Sequence, residues 1–141
     1  MILYADTSSL FKLYLVEAGS AEVEIAVAAA TQVASSKVAY AETRVALARA
    51  FRGGRLNQVE LQSARRKFES EWPGMGAVEV SDEILREAGD LGDLYPIRGF
   101  GAIHLSSAKQ VRAPSSDEVA FSTADRRLRD AAIAEGFSVE P

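Results

Sequence analysis

Short runs of β-forming residues alternate with stripes at helical spacing along almost the whole chain, and this alternation constrains the fold most. The apolar run Ile2-Leu3-Tyr4-Ala5 is followed by Asp6, a small polar cluster and an apolar helical stripe over residues 10–16. Residues 20–30 read as a second helix and Gln32-Val33-Ala34 as a strand. Ser35 or Ser36 caps a helix over residues 37–52 that Gly53-Gly54 ends. Asn57 caps the next, whose stripe Leu61, Ala64, Phe68, Trp72 stops at Pro73-Gly74. A strand at residues 77–80, a helix from Ser81 or Asp82 to Leu94, a loop at Pro96 and Gly99, and a helix over residues 102–111 follow. A strand at residues 119–122, a helix capped by Asp125 and running to about Glu135, and a strand at residues 137–139 complete the pattern. Such alternation predicts an α/β fold with a mostly parallel sheet covered by helices on both faces.

At 141 residues the expectation is one domain spanning 1–141, long enough to bury about two-thirds of its unfolded surface. A hydrophobic content of 48% beside 26% charged residues excludes disorder. The absence of cysteine excludes disulfides and thiolate metal sites. No apolar run approaches the ~20 residues of a membrane span, and the N-terminus lacks the pattern of a secretory signal, so a cytoplasmic, non-membrane protein is expected. The net charge of −4 is unevenly spread: Arg44, Arg49, Arg52, Arg55, Arg65, Arg66 and Lys67 face only Glu60 within their segment. A basic surface beside an acidic pocket suits a phosphate-cleaving enzyme, because it draws in a polyanion that the pocket alone repels.

Several chemistries are excluded. No Gly-rich phosphate loop and no dinucleotide fingerprint follows the first strand. Asp6 has no second acid two residues on, against an aspartyl-phosphate phosphatase, and the single histidine, His104, rules out multi-histidine metal sites. Acids remain. Asp6 stands just past the carboxyl end of a central strand, where open α/β sheets hold ligands. Glu42 lies on a helix face with Val38, Val45 and Arg49, where burial demands compensation by a metal, by Arg49 or by another arginine. Asp125 both caps a helix and occupies the same rim as Asp6. Carboxylates gathered at strand ends bind hard divalent cations.

Four blocks, Asp6-Thr7-Ser8-Ser9-Leu10, Ala41-Glu42, residues 98–108 around Gly101-Ala102-Ile103-His104, and Ser122-Thr123-Ala124-Asp125-Arg126, resemble the PIN-domain family, and more narrowly its VapC-type toxin ribonucleases. The resemblance covers nearly the whole chain. It implies a three-layer α/β/α sandwich with a parallel sheet of four or five strands. It also implies a Mg²⁺- or Mn²⁺-dependent endoribonuclease acting on RNA, a cognate antitoxin protein and a homodimer. The family's acids fall at Asp6, Glu42, Gly101 and Asp125, so catalytic and metal roles go to Asp6, Glu42 and Asp125, and Gly101 leaves one position empty. Weakened metal binding and reduced cleavage are expected; a non-catalytic module binding antitoxin or RNA is the alternative. Asp90, Asp93, Asp117 and Glu118 are poorly placed to substitute. Ser8, Arg44, Arg49 and Thr123 are the candidate substrate contacts, while His104 is expected to pack or hydrogen-bond, and Phe68 and Trp72 to belong to the core or a dimer contact.

Overall fold

Five parallel strands form one sheet in the order β3-β2-β1-β4-β5 in the computed structural model, which describes residues 1–141. The strands are β1 (Ile2–Ala5), β2 (Gln32–Ser36), β3 (Gly76–Val78), β4 (Val119–Ser122) and β5 (Ser138–Glu140). Seven α-helices connect and cover them: α1 (Thr7–Leu10), α2 (Ser20–Ala29), α3 (Val38–Arg52), α4 (Gln58–Glu71), α5 (Asp82–Leu94), α6 (Gly99–Arg112) and α7 (Arg126–Ala134). From β1 the chain winds outward one way through β2 and β3, then returns to pair β4 on the other side. The strand order therefore reverses between β1 and β4, and such reversals open a crevice outside the carboxyl ends of the strands.

Side-chain alternation along the strands divides the core. Tyr4, Ala34, Val119 and Phe121 point to one face, where Leu91 of α5, Leu105 of α6 and Leu128 of α7 cover them. Leu3 and Ala120 point to the other and meet Ala26 of α2, while Ala5 on that face packs with Leu10, Leu47 and Phe68. Both faces of β1 are buried, as its unbroken apolar run requires. Phe68 is fully buried and lies 5.1–5.6 Å, centroid to centroid, from Tyr14, Tyr40 and Trp72, so these aromatics belong to the packing under α3 and α4.

The caps at Asn57, Ser81 and Asp125 form as expected, Asn57 with a complete capping box. Neither Ser35 nor Ser36 is the N-cap of α3: β2 runs on through both, and the cap is Lys37, without a side-chain bond. Ser36 accepts from Val38 N at 3.3 Å, whereas Ser35 turns inward and donates to Ala5 O at 2.7 Å. Three further boundaries differ from the sequence expectation. The helix expected over residues 10–16 is a single α-turn, α1, continued by a 3-10 turn at Phe11–Leu13. Asp6 starts it early, and Lys12 Nζ bonding to Glu17 and to Ala18 O bends the chain back, leaving Val16 exposed. Helix α6 begins at Gly99 and not at Ala102, because packing of α6 along α5 overrides the weak helical preference of its glycines. Strand β3 stops at Val78, the last residue in register with β2.

Candidate active site

The cleft beyond β1 and β4 is built around Asp6. As N-cap of α1, its Oδ1 accepts from Ser9 N at 3.0 Å and from Ser8 Oγ at 2.7 Å. Pairing of Ala5 with Ser122 sets the two following segments side by side, and Thr123 Oγ1 donates to Asp6 Oδ2 at 2.6 Å. The turn after β4 is tied back in the same way: Ala124 N donates to Ser8 Oγ at 2.9 Å, and Asp125 N to Thr123 Oγ1 at 3.0 Å. Ser8 and Thr123 thus reach Asp6 directly and orient it. Asp6 is only 5% exposed, yet it forms no ion pair.

Glu42 enters from α3. Its Oε1 accepts from Thr7 Oγ1 at 2.6 Å and lies 3.1 Å from His104 Nε2 of α6. The other ring nitrogen, Nδ1, sits 3.0 Å from the Tyr4 hydroxyl, so His104 spans from the core of β1 to the cleft. Burial pushes the Glu42 carboxyl up, but the hydrogen bonds from His104 and Thr7 outweigh it and hold the group below its ordinary range. The compensation left open between a metal and an arginine is therefore supplied within the chain by His104 and Thr7, two residues whose site role the sequence reading missed. Val45 and Arg49 are exposed, because the buried stripe of α3 is Ala39, Thr43, Leu47 and Ala50. Arg44 Nη1 bonds to Glu69 at 2.5 Å and to the Tyr40 hydroxyl at 3.0 Å, which ties α3 to α4. Neither Arg44 nor Arg49 lines the cleft.

Asp125 completes the rim. Its Oδ1 accepts from Arg127 N at 2.9 Å and Leu128 N at 3.2 Å, while Oδ2 accepts nothing from the protein. Glu42 Oε2 is likewise open. The cleft has a volume of about 280 Å³ and its walls include Asp6, Glu42, Asp125, Arg98, Phe100 and Gly101. At about 30 Å³ per water molecule it admits a hydrated ion together with a phosphate group. The other acids near the motif, Asp90, Asp93, Asp117 and Glu118, do not line it.

Residues 3–134 match the PIN domain family. The chain belongs to the PIN-domain family. Over 140 residues it is 35% identical to ribonuclease VapC45 of Mycobacterium tuberculosis (strain CDC 1551 / Oshkosh), a match covering 99% of this chain and 95% of that one. Ribonuclease VapC49 of Mycobacterium tuberculosis (strain ATCC 25618 / H37Rv) matches to the same extent. The fold recurs in FitAcB from Neisseria gonorrhoeae, with a TM-score of 0.70 at 16% identity over 100% of this chain and 97% of that one. It recurs too in VapC20 of Mycobacterium tuberculosis, a sarcin-ricin loop cleaving toxin, at TM-score 0.69 and 17% identity over 99% of both chains. The expected family and fold are both confirmed, and the sheet has five strands.

Nucleases of the PIN-domain family are metal-dependent. In this PIN domain the donor chemistry suits a hard divalent cation: a buried carboxylate without a counter-charge, in one cleft with two carboxylates that each keep an open oxygen. The number falls short, since no three acidic or histidine side chains are gathered closely enough to hold one ion between them. The residues therefore fit a hydrated ion held partly through water and do not fit a closed protein shell. Gly101 sits in the first turn of α6 on the cleft wall. A Cβ there meets only Leu128 side-chain carbons at 3.5–4.0 Å, ordinary van der Waals contact, so neither space nor backbone conformation demands glycine.

Proposed function

We propose that this PIN domain is an endoribonuclease of the toxin type, hydrolysing RNA phosphodiesters with Mg²⁺ or Mn²⁺. Its turnover is lowered by Gly101, and a cognate antitoxin protein covers the site. The observation that carries this reading is the cleft: Asp6, Glu42 and Asp125, from three separate segments, share one cleft in a chain 35% identical along 99% of its length to ribonuclease VapC45. No helix is long and apolar enough to cross a membrane, in keeping with action on cytoplasmic RNA. The homodimer implied by the resemblance belongs to the same proposal.

A bound divalent cation supplies charge neutralisation at the phosphodiester and makes water more acidic at neutral pH. The chain's own groups do the rest. Ser8, Thr123 and Ser9 N fix both oxygens of Asp6 before substrate arrives, so its orientation costs nothing at the moment of reaction. His104 and Thr7 hold Glu42 by Oε1, which leaves Oε2 as the acceptor that orients an attacking water. Asp125 is fixed by the α7 amides through Oδ1 and presents Oδ2 to the cleft.

Gly101 favours a second reading, a binding module that keeps the fold without cutting. Mg²⁺- or Mn²⁺-dependent cleavage of structured RNA by the unchanged chain and by Gly101→Asp separates the two. Cleavage by the aspartate form alone, or faster cleavage by it, supports the nuclease with a weakened site. Equal rates remove Gly101 as the cause of any weakness, and no cleavage by either form supports the module.

A further inference from the structure

Arg98 and Phe100 flank the entrance to the acidic cleft, and neither has an assigned role. Arg98 is the N-cap of α6, carries no side-chain capping bond and is exposed; its guanidinium forms no ion pair or hydrogen bond with the protein. It is the only arginine or lysine lining the cleft. Arg49, Arg126 and Arg127 are exposed too but do not line the cleft, and Arg44 is held by Glu69. Phe100, two residues on, is a large aromatic left 57% exposed, whereas Leu128, the cleft's other apolar residue, is buried.

We infer that Arg98 and Phe100 form a substrate grip on single-stranded RNA, the guanidinium taking a backbone phosphate and the ring stacking on a neighbouring base. This deepens the ribonuclease reading and rests on it. A cleft walled by three carboxylates repels a polyanion, so a cation at its mouth is needed to bring a phosphodiester in, and Arg98 is the one that lines it. An aromatic face beside that cation is the usual partner for an unpaired base, because stacking tolerates any sequence and holds the strand in register. Phe100 also borders an apolar groove formed with Leu85, Ile97 and Ile103, so a protein partner is the competing occupant. The ring's placement on the cleft beside an unpaired arginine favours RNA.

Binding of a fluorescently labelled single-stranded RNA, and of an abasic oligonucleotide of the same length, is measured over a range of salt with the full chain. Phe100→Ala and Phe100→Leu are expected to weaken RNA binding roughly ten- to a hundredfold, with Phe100→Tyr restoring it and abasic binding unchanged. Arg98→Ala is expected to reduce the slope of log affinity against log salt by about 0.7, and Arg98→Lys to preserve it. Circular dichroism confirms that these surface variants fold. Full affinity in Phe100→Leu, or an unchanged salt slope in Arg98→Ala, overturns the inference while leaving the nuclease reading in place. A change in sedimentation of the RNA-free Phe100→Ala chain with unaltered RNA affinity assigns the ring to a protein contact and also overturns it. If neither the unchanged chain nor Gly101→Asp binds RNA, the ribonuclease reading fails and the inference fails with it.

Discussion

Thr123 Oγ1 donates to Asp6 Oδ2 across 2.6 Å, joining two residues 117 positions apart at the ends of adjacent strands. The same hydroxyl accepts from Asp125 N, so a single side chain ties the first and last acids of the site together. Thr123→Val preserves shape but leaves a buried carboxylate oxygen and an amide unsatisfied. The expected loss is about 1–3 kcal/mol in urea unfolding, with Thr123→Ser close to the parent. A Thr123→Val chain as stable as the parent would remove this hydroxyl from the account of how the cleft is held.

Glu42 gives a pH signature. Its carboxyl is held below the ordinary range despite burial, because His104 and Thr7 favour the charged form. A depressed carboxyl contributes stability that is present above its unfolded value, about 4.3, and is lost as pH falls through the lower folded value. Glu42→Gln should therefore be less stable than the parent at neutral pH, and the gap should narrow as the pH drops through and below 4.3. Unfolding curves at a series of pH values check the sign; a gap that widens in acid contradicts it.

Position 101 separates backbone from charge. Gly101→Ala should raise stability by about 0.5–1 kcal/mol, since glycine within a helix is costly and the added methyl has room beside Leu128. Gly101→Asp adds the favourable placement of an anion in a first helical turn, roughly 0.3–1 kcal/mol, but sets it beside Asp6, Glu42 and Asp125. The aspartate form should gain little without metal and show a larger rise in melting temperature on adding Mg²⁺ than the alanine form does. Equal Mg²⁺ responses would show that a carboxylate at 101 does not reach the ion.

The phenols give an alkaline signature. Burial pushes the Tyr4 hydroxyl well above its ordinary value, and burial with the bond to Glu71 does the same for Tyr14. A raised phenol contributes stability that is complete below its unfolded value, about 10, and is lost as pH rises above it. Absorbance titration should show these two tyrosines ionising only together with the loss of far-ultraviolet circular dichroism. Ionisation of Tyr4 in the folded protein would contradict the burial of its contact with His104, and that of Tyr14 the burial of its bond to Glu71.

Local signals were legible in the sequence wherever one segment settled its own structure. Asn57, Ser81 and Asp125 cap helices through amides two or three residues away, and the apolar run of β1 carries its double burial in its composition. What was not legible depends on segments far apart. His104 and Glu42 are 62 positions apart and Arg44 and Glu69 are 25, so nothing local tells which arginine is free and which carboxylate already has a partner. The expected α3 face failed for a related reason. Glu42, Val45 and Arg49 share a helical side, but the buried side is set by which neighbours α3 meets, and those are Leu61 and Phe68 of α4 with Ala5 and Leu10.

Because β1 lies at the centre of the sheet and takes β4 as its second neighbour, the cleft cannot exist on a partly synthesised chain. Of the sheet's pairings, β1 with β4 joins the residues most distant in sequence, so it is the costliest to close and the one on which the cleft waits. Until it forms, Asp6 and Asp125 belong to separate stretches of chain, and folding itself is the gate that assembles the site.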